Sequence, residues 1–440
     1  MRRLLIGLAS TAAALVLAGP SASAQDDAPG PVDVLQVSGL IDPIVIGAID
    51  DAIERAVDDG SQALVLQVNS RGAVVGRDEV EALLERIATA PVPIAVWVGP
   101  SGARLYGTPA QMLAVADVTG MAAGARVGHT GVPLRPGGVS VDFGAAETVL
   151  RGGSVGLTQA RELGVFKQRV EDQGIPTVKN MVDALDGFEE GGRVIETTEE
   201  QTLDDGNVRR DTTTVVRFAK LSLLDQLFHT AASPPAAYLL LLAGLALLIF
   251  EFFTAGVGIA GVVGATATVL AATGLATLPA RGWAVGLILA AMLAFAVDVQ
   301  VGIPRLWTGI GGVLAIVGSF WLFEPLPGTT LRPSWITLLA GIGGLVLAFV
   351  VGMPSMVRSR FATPTIGREW MIGEVGEVVE AVDPDGVVSV GDARWRARTN
   401  RATPVPTGEP VRVVAIDGVT LEVEPLEGAA RDHRERRRSH

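Results

Sequence analysis

The chain has 440 residues, 35 Lys+Arg against 47 Asp+Glu, and only 19% charged residues beside 49% hydrophobic ones, with a mean hydropathy of +0.41. A soluble chain carries about 25% charged residues, so part of this one belongs in lipid, and at roughly 150 residues per domain there is room for about three units. Zero Cys excludes disulfides, thiolate chemistry and Cys-based zinc sites; four scattered His (His129, His229, His433, His440) form no metal cluster, and no basic stripe precedes the tail, so neither a metal, a cofactor nor a nucleic acid is expected.

Met1-Arg2-Arg3, the apolar run Leu4 to Leu17 and the small-x-small triplet Ala22-Ser23-Ala24 make residues 1–24 a signal peptide. Its apolar run is too short for a spanning helix, so the following domain is expected outside the cytoplasmic membrane. From Val32 onward, apolar runs of strand length (Val32–Val37, Ala63–Val68, Ile94–Val98) alternate with helical patterns. Ile46, Ile49, Ile53 and Val57 recur at helical spacing, as do Val80, Leu83, Leu84 and Ile87. Strand, helix, strand, helix, strand predicts a parallel α/β sheet over residues 25–186. Residues 187–234 read as an acidic, Thr-rich connector, ending in a short amphipathic helix near Leu221–His229 that suits a membrane interface.

Residues 235–357 hold five apolar stretches, near 236–253, 256–278, 283–299, 306–324 and 335–353. Each is long enough for the roughly 30 Å hydrocarbon layer. Trp283, Trp307, Trp321 and Trp335 stand at stretch ends, where an interfacial aromatic belt belongs. An odd number of spans carries the chain from outside to inside. Glu251 and Asp298 are acids near span ends and read as interfacial carboxylates before an ion pathway. Residues 363–426 switch to five alternating strands separated by turns such as Asp383-Pro-Asp-Gly386 and Asp417-Gly418, which suits a small closed barrel of OB type. Residues 427–440 are a basic tail.

This order of modules resembles the long form of the NfeD family: an exported ClpP-like, crotonase-type domain, a membrane block and a cytoplasmic OB domain. The resemblance is strongest in Ile372-Gly-Glu-Val-Gly376, Asp383-Pro-Asp-Gly-Val-Val388 and Trp395-Arg-Ala-Arg398. Ser233-Pro-Pro-Ala-Ala-Tyr238, Gly258-Ile-Ala-Gly261, Gly99-Pro-Ser-Gly-Ala103, Met121-Ala-Ala-Gly-Ala-Arg-Val-Gly-His129 and Leu157-Thr-Gln-Ala-Arg-Glu-Leu-Gly164 extend it along the chain.

What the resemblance implies is a serine protease with a Ser–Lys dyad, in which a buried, neutral lysine takes the serine proton and a Gly-Gly loop holds the oxyanion. The residues depart from that pattern. The position of the nucleophile is Gly107, and the oxyanion loop Asn69-Ser-Arg-Gly-Ala73 keeps Gly72 but has Ala73 for the second Gly. From Gly128 to Gly156 there is no lysine. A pseudo-protease is the reading, so whether the chain is an enzyme turns on a displaced nucleophile, Ser101 or Thr108, served by Lys167 or Lys179. Ser101 reads first as a turn or cap residue, and His129 with Asp117 has no triad-specific spacing.

Three functions compete. The first is a binding and scaffold protein of membrane quality control; the resemblance implies a stomatin/flotillin-type (SPFH, band 7) partner, an extended peptide on the exported domain, contact with the lipid bilayer and a homo-oligomer. The second is a membrane-bound serine endopeptidase; the third, a transporter, has few polar residues in its favour. On the barrel, Trp395 is either a core residue or a partner-binding anchor, with Arg394, Arg396 and Arg398 on the opposite face.

Overall fold

A computed structural model of the chain describes residues 29–166, 174–190, 192–202, 208–254, 258–301, 305–356, 369–400 and 403–427. Residues 1–24, expected to be a signal peptide, Lys167 and residues 428–440 of the tail lie outside the described residues. The chain divides into two compact units, Met1–Leu347 and Ala348–His440.

The first unit opens on β1 (Val32–Ser38), α1 (Pro43–Asp58), β2 (Ala63–Asn69), α2 (Arg77–Ala88) and β3 (Ile94–Val98). Asp42 caps α1, its carboxylate accepting the Val45 N–H at 2.8 Å, with Pro43 at the first helical position where a missing N–H costs nothing. The α2 stripe of Val80, Leu83, Leu84 and Ile87 buries as read. Of the α1 stripe, Ile49 and Ile53 are buried, Ile46 is half-buried and Val57 is exposed, with Val45, Ala52 and Ala56 completing the buried face. Every residue of β3 is buried, as a strand covered on both faces must be. Further on come β4 (Arg104–Tyr106), β5 (Val118–Met121), β6 (Arg126–Gly128), β7 (Ser154–Gly156) and β8 (Val216–Ala219). The main sheet is parallel throughout, in the order β8-β1-β2-β3-β5, and β4-β6-β7 form a second, smaller sheet. This is the expected parallel α/β architecture.

One segment corrects the reading. Residues 187–234 were assigned to the connector, yet Val216–Ala219 is the edge strand of the main sheet, pairing with Val32–Leu35. Asp33 holds it there, accepting from Arg217 Nε at 2.7 Å and Nη2 at 2.8 Å. The polar hairpin between Thr198–Thr202 and Val208–Thr212 hides so short a strand from any periodicity.

Next are α3 (Leu223–Ala231), which leaves Leu223, Leu224, Leu227 and Phe228 exposed, and the apolar helices α4 (Pro234–Thr254), α5 (Ile259–Thr277), α6 (Gly282–Val301), α7 (Leu306–Phe320) and α8 (Trp335–Leu347). Four are long and apolar enough to cross a membrane: Pro234–Phe253, Ile259–Thr277, Gly282–Val301 and Trp335–Met356. The fourth apolar stretch, read as 306–324, forms a helix of only 15 residues. Its final residues turn back: Phe323 bridges Ala280 and the Leu322 carbonyl accepts the Arg281 N–H at 2.8 Å. Small residues let the helices approach, since a Cβ on Gly264 would meet the Gly244 carbonyl at 2.9 Å. Tyr238 on α4 is fully buried and donates to Ser319 Oγ on α7 at 3.0 Å. Glu251 accepts the Gly258 N–H at 2.9 Å as α5 begins, and Asp298 accepts Thr308 Oγ1 at 2.6 Å.

The second unit is a closed barrel of β9 (Val375–Glu380), β10 (Asp385–Val390), β11 (Ala393–Arg398), β12 (Pro410–Asp417) and β13 (Thr420–Pro425), in the order β9-β10-β11-β13-β12. Only β11 with β13 is parallel, and closure leaves no free edge. Its core is Val378, Val388, Val390, Val411, Val413, Leu421 and Val423.

Candidate functional site

Parallel α/β sheets present their loops and helix starts at the carboxyl ends of the strands, which makes that edge the natural place for a site. Here the loop after β2 (Asn69–Ala73), the turn after β3 and the end of β6 meet. Gly72 lies beside Ile41, its carbonyl accepting the Ile41 N–H at 2.9 Å, and Ser70, fully buried, donates its hydroxyl to the same carbonyl at 3.0 Å. Ala73 forms an isolated parallel bridge with Ile41.

Gly107 sits between β4 and the short helical turn Thr108–Gln111, at φ +76°. Its N–H donates to the Gly128 carbonyl at 3.2 Å. A Cβ built there would lie 3.3 Å from Gly72 Cα. The structure therefore brings together the two positions that sequence comparison paired as nucleophile and oxyanion loop, on a sharp strand-to-helix turn of the kind that exposes a nucleophile. What stands at that turn is a buried glycine.

The other named residues are dispersed. The Ser101 hydroxyl donates to the Ala123 carbonyl at 2.6 Å, so it ties one turn to another. Asp117 accepts the Ile94 N–H at 2.8 Å where β3 begins, the end of that strand remote from the site. Lys179 belongs to the helix Val178–Asp183 and lines a separate cavity with Asp211 and Phe218. Where the resemblance would put a lysine-bearing helix, residues 129–143 have no regular secondary structure, and the chain there is pinned by Gln111. That fully buried side chain donates to the Thr130 and Val132 carbonyls at 2.9 and 3.0 Å and accepts the Leu134 N–H at 2.8 Å.

Three features of this face were not legible as a group. His129, at φ +54°, stands edge-on to Tyr106 with ring centroids 5.1 Å apart. A cavity of about 490 Å³ opens beside them, lined by Arg71, Arg104 and Tyr106 from the α/β domain. Its far wall is Pro325, Leu326, Gly328, Thr329 and Thr330, from the loop joining α7 to α8. The only sequence signal was the Pro-Leu-Pro-Gly run in a loop otherwise set between apolar helices.

On the barrel, Trp395 is half-buried against the core on the face it shares with buried Ala397, while Arg394, Arg396 and Arg398 are exposed. Across the ladder it pairs with Val388. Among the described residues no group of three or more His, Asp or Glu is placed to hold a metal ion.

Comparison with known proteins places two segments. Residues 235–353 match the NfeD integral membrane domain, and residues 368–425 match the NfeD-like C-terminal, partner-binding domain. Membrane-bound protease PH1510 of Pyrococcus horikoshii is 26% identical over 428 residues, covering 89% of this chain and 92% of that protein. Among solved structures, the 1510-N membrane protease specific for a stomatin homolog from Pyrococcus horikoshii is 18% identical with a TM-score of 0.33, covering 45% of this chain and 96% of the other. The C-terminal domain of stomatin operon partner protein 1510-C from the same organism is 40% identical with a TM-score of 0.13, covering 15% of this chain and 98% of the other.

Proposed function

The chain belongs to the NfeD family, and from that premise we propose that it is a binding and scaffold component of membrane quality control whose exported domain engages extended peptide without cleaving it. The observation that carries this reading is Gly107: a buried glycine at φ +76° occupies the turn facing Gly72, where the family's chemistry needs a hydroxyl. No lysine lies between Gly128 and Gly156 to take a proton. Without nucleophile and base, what persists is a groove of strand ends and loop backbone, which suits peptide capture by main-chain pairing.

The partner-binding type of the C-terminal domain supports docking of a second membrane protein there, and the stomatin specificity of the 1510-N protease supports the stomatin/flotillin class. In this reading residues 1–24 are cleaved on export, the α/β domain faces outward and the barrel faces the cytoplasm. The seating of the α7–α8 loop on the exported domain supports it, because α7 must then return the chain to the outer side and α8 must cross again.

The relative named as a membrane-bound protease favours one other reading, an endopeptidase using Ser101 as a displaced nucleophile. Labelling the full-length protein with a serine-directed fluorophosphonate separates the two. No labelling is expected, and Gly107→Ser alone should not create it, because no base accompanies the new hydroxyl. Labelling of the wild type that vanishes on Ser101→Ala would replace the scaffold by the endopeptidase.

A further inference from the structure

The α7–α8 loop is built as a tethered insert. Its base is held against the membrane block. The Arg281 guanidinium donates to the Trp321 carbonyl at 3.1 Å, the Glu324 N–H donates to the Pro279 carbonyl at 2.9 Å, and Arg332 stacks on Phe320 and Trp335 at 5.8 and 5.2 Å. Its tip is a tight turn. Leu326 and Thr329 exchange two backbone hydrogen bonds of 3.0 Å around Pro327-Gly328, with Gly328 at φ +74°. Proline then glycine is the sequence that such a turn demands.

The tip goes to the face described above. Leu326 lies over Gly72, where a Cβ would come within 3.0 Å of its Cδ1 and 3.7 Å of its Cβ. Gly328 presses its backbone against the His129 ring, and any side chain at 328 would run into that ring. Both contacts depend on glycine, one on each partner: Gly72 admits the leucine and Gly328 admits the imidazole. We propose that this Pro-Gly tip is the resident ligand of the exported groove, so that an extended apolar peptide binds only when the loop is displaced.

The chemistry of the occupant defines the class of competitor: a peptide with a branched aliphatic side chain that sits on Gly72, beside the cavity lined by Arg71 and Tyr106. A tethered ligand acts at an effective concentration in the millimolar range, so a free peptide of similar affinity is excluded. The proposal rests on reading this face as a peptide groove, but not on the absence of hydrolysis. Fluorophosphonate labelling bears on hydrolysis alone and the crosslink below on occupancy alone, so the two readings fail separately.

The native chain has no cysteine, so Arg71→Cys/Thr329→Cys in the full-length protein in nanodiscs carries one defined pair. A short bis-maleimide should join them within one chain; failure to crosslink would overturn the proposal. A labelled peptide copying residues 322–331 then reports access. Binding to the loop variants Leu326→Asp and Gly328→Val should be tighter than to wild type by about tenfold or more, the margin a tethered competitor imposes. Two substitutions in a surface loop are used so that a folding defect in one leaves the other to report. Equal binding by wild type and variants would show that the loop does not hold the groove, and binding by none would overturn the reading of this face as a peptide groove and the proposal with it.

Discussion

His229 fastens helix α3 to the α/β domain. Its Nδ1 lies 2.6 Å from Asp42 Oδ2 and its Nε2 lies 2.8 Å from the Ser38 carbonyl, while Gly39, at φ +90°, keeps its Cα bare against the ring. The hydrogen bond to Asp42 raises the imidazole above its ordinary value of 6.5, with burial opposing and the charge of Asp42 adding to it. A group raised in the folded state stabilises fully below its unfolded value and loses that contribution as pH rises through the folded one. The docking of α3 should therefore weaken as pH rises from just below 6.5 through the raised value. Melting of the full-length protein should show this slope, and His229→Gln, which cannot charge, should flatten it. A slope that survives the substitution would assign it to other groups. None of this was legible beforehand, because Asp42 and His229 are brought together only by the fold. Gly107 and Gly72 were singled out through the family resemblance rather than by any pattern of their own, and the fold sets them side by side.

Elements were read best where burial is one-sided and the element long. The stripes of α1 and α2 and the alternation of the barrel strands fall on that side, and the four-residue strand Val216–Ala219 falls on the other. The barrel strand β11 shows what alternation decides and what it leaves open. It places Arg394, Arg396 and Arg398 outward and Trp395 and Ala397 inward, yet Trp395 is half-buried where Ala397 is buried. Replacing a buried Trp by Ala costs about 3–5 kcal/mol, so this half-buried one should cost about 2 kcal/mol. In a small domain of marginal stability that loss is large. The isolated barrel, residues 363–427, should fold as wild type and melt markedly lower as Trp395→Ala. An unchanged midpoint would free Trp395 from the core and make it a docking anchor, whose truncation weakens association by about 2 kcal/mol or more.

At the scale of the whole molecule the weakest helix decides the topology. α7 has 15 residues, hence about 22 Å of rise against a hydrocarbon layer of about 30 Å. By length alone it stays within the bilayer, and four crossings would leave both termini on one side. Its neighbours argue otherwise. The loop that follows α7 puts Leu326 on Gly72 and Gly328 on His129, both residues of the α/β domain, so α7 has to deliver the chain to the membrane face on which that domain lies. The mismatch is modest for a bilayer, which thins around a short helix at a fraction of a kcal/mol per Å. Glycines on α7 also draw it close to α6, since a Cβ on Gly311 or Gly318 would meet the Ala291 or Ala284 carbonyl at 3.1 or 2.9 Å. Single cysteines at Asp211, Thr329 and Glu427 in the cysteine-free chain test this with a membrane-impermeant maleimide on intact cells. The first two should label from outside and Glu427 only after permeabilisation. Labelling of Glu427 together with Asp211 on intact cells would mean four crossings, and protection of Thr329 alongside it would place the α7–α8 loop inside.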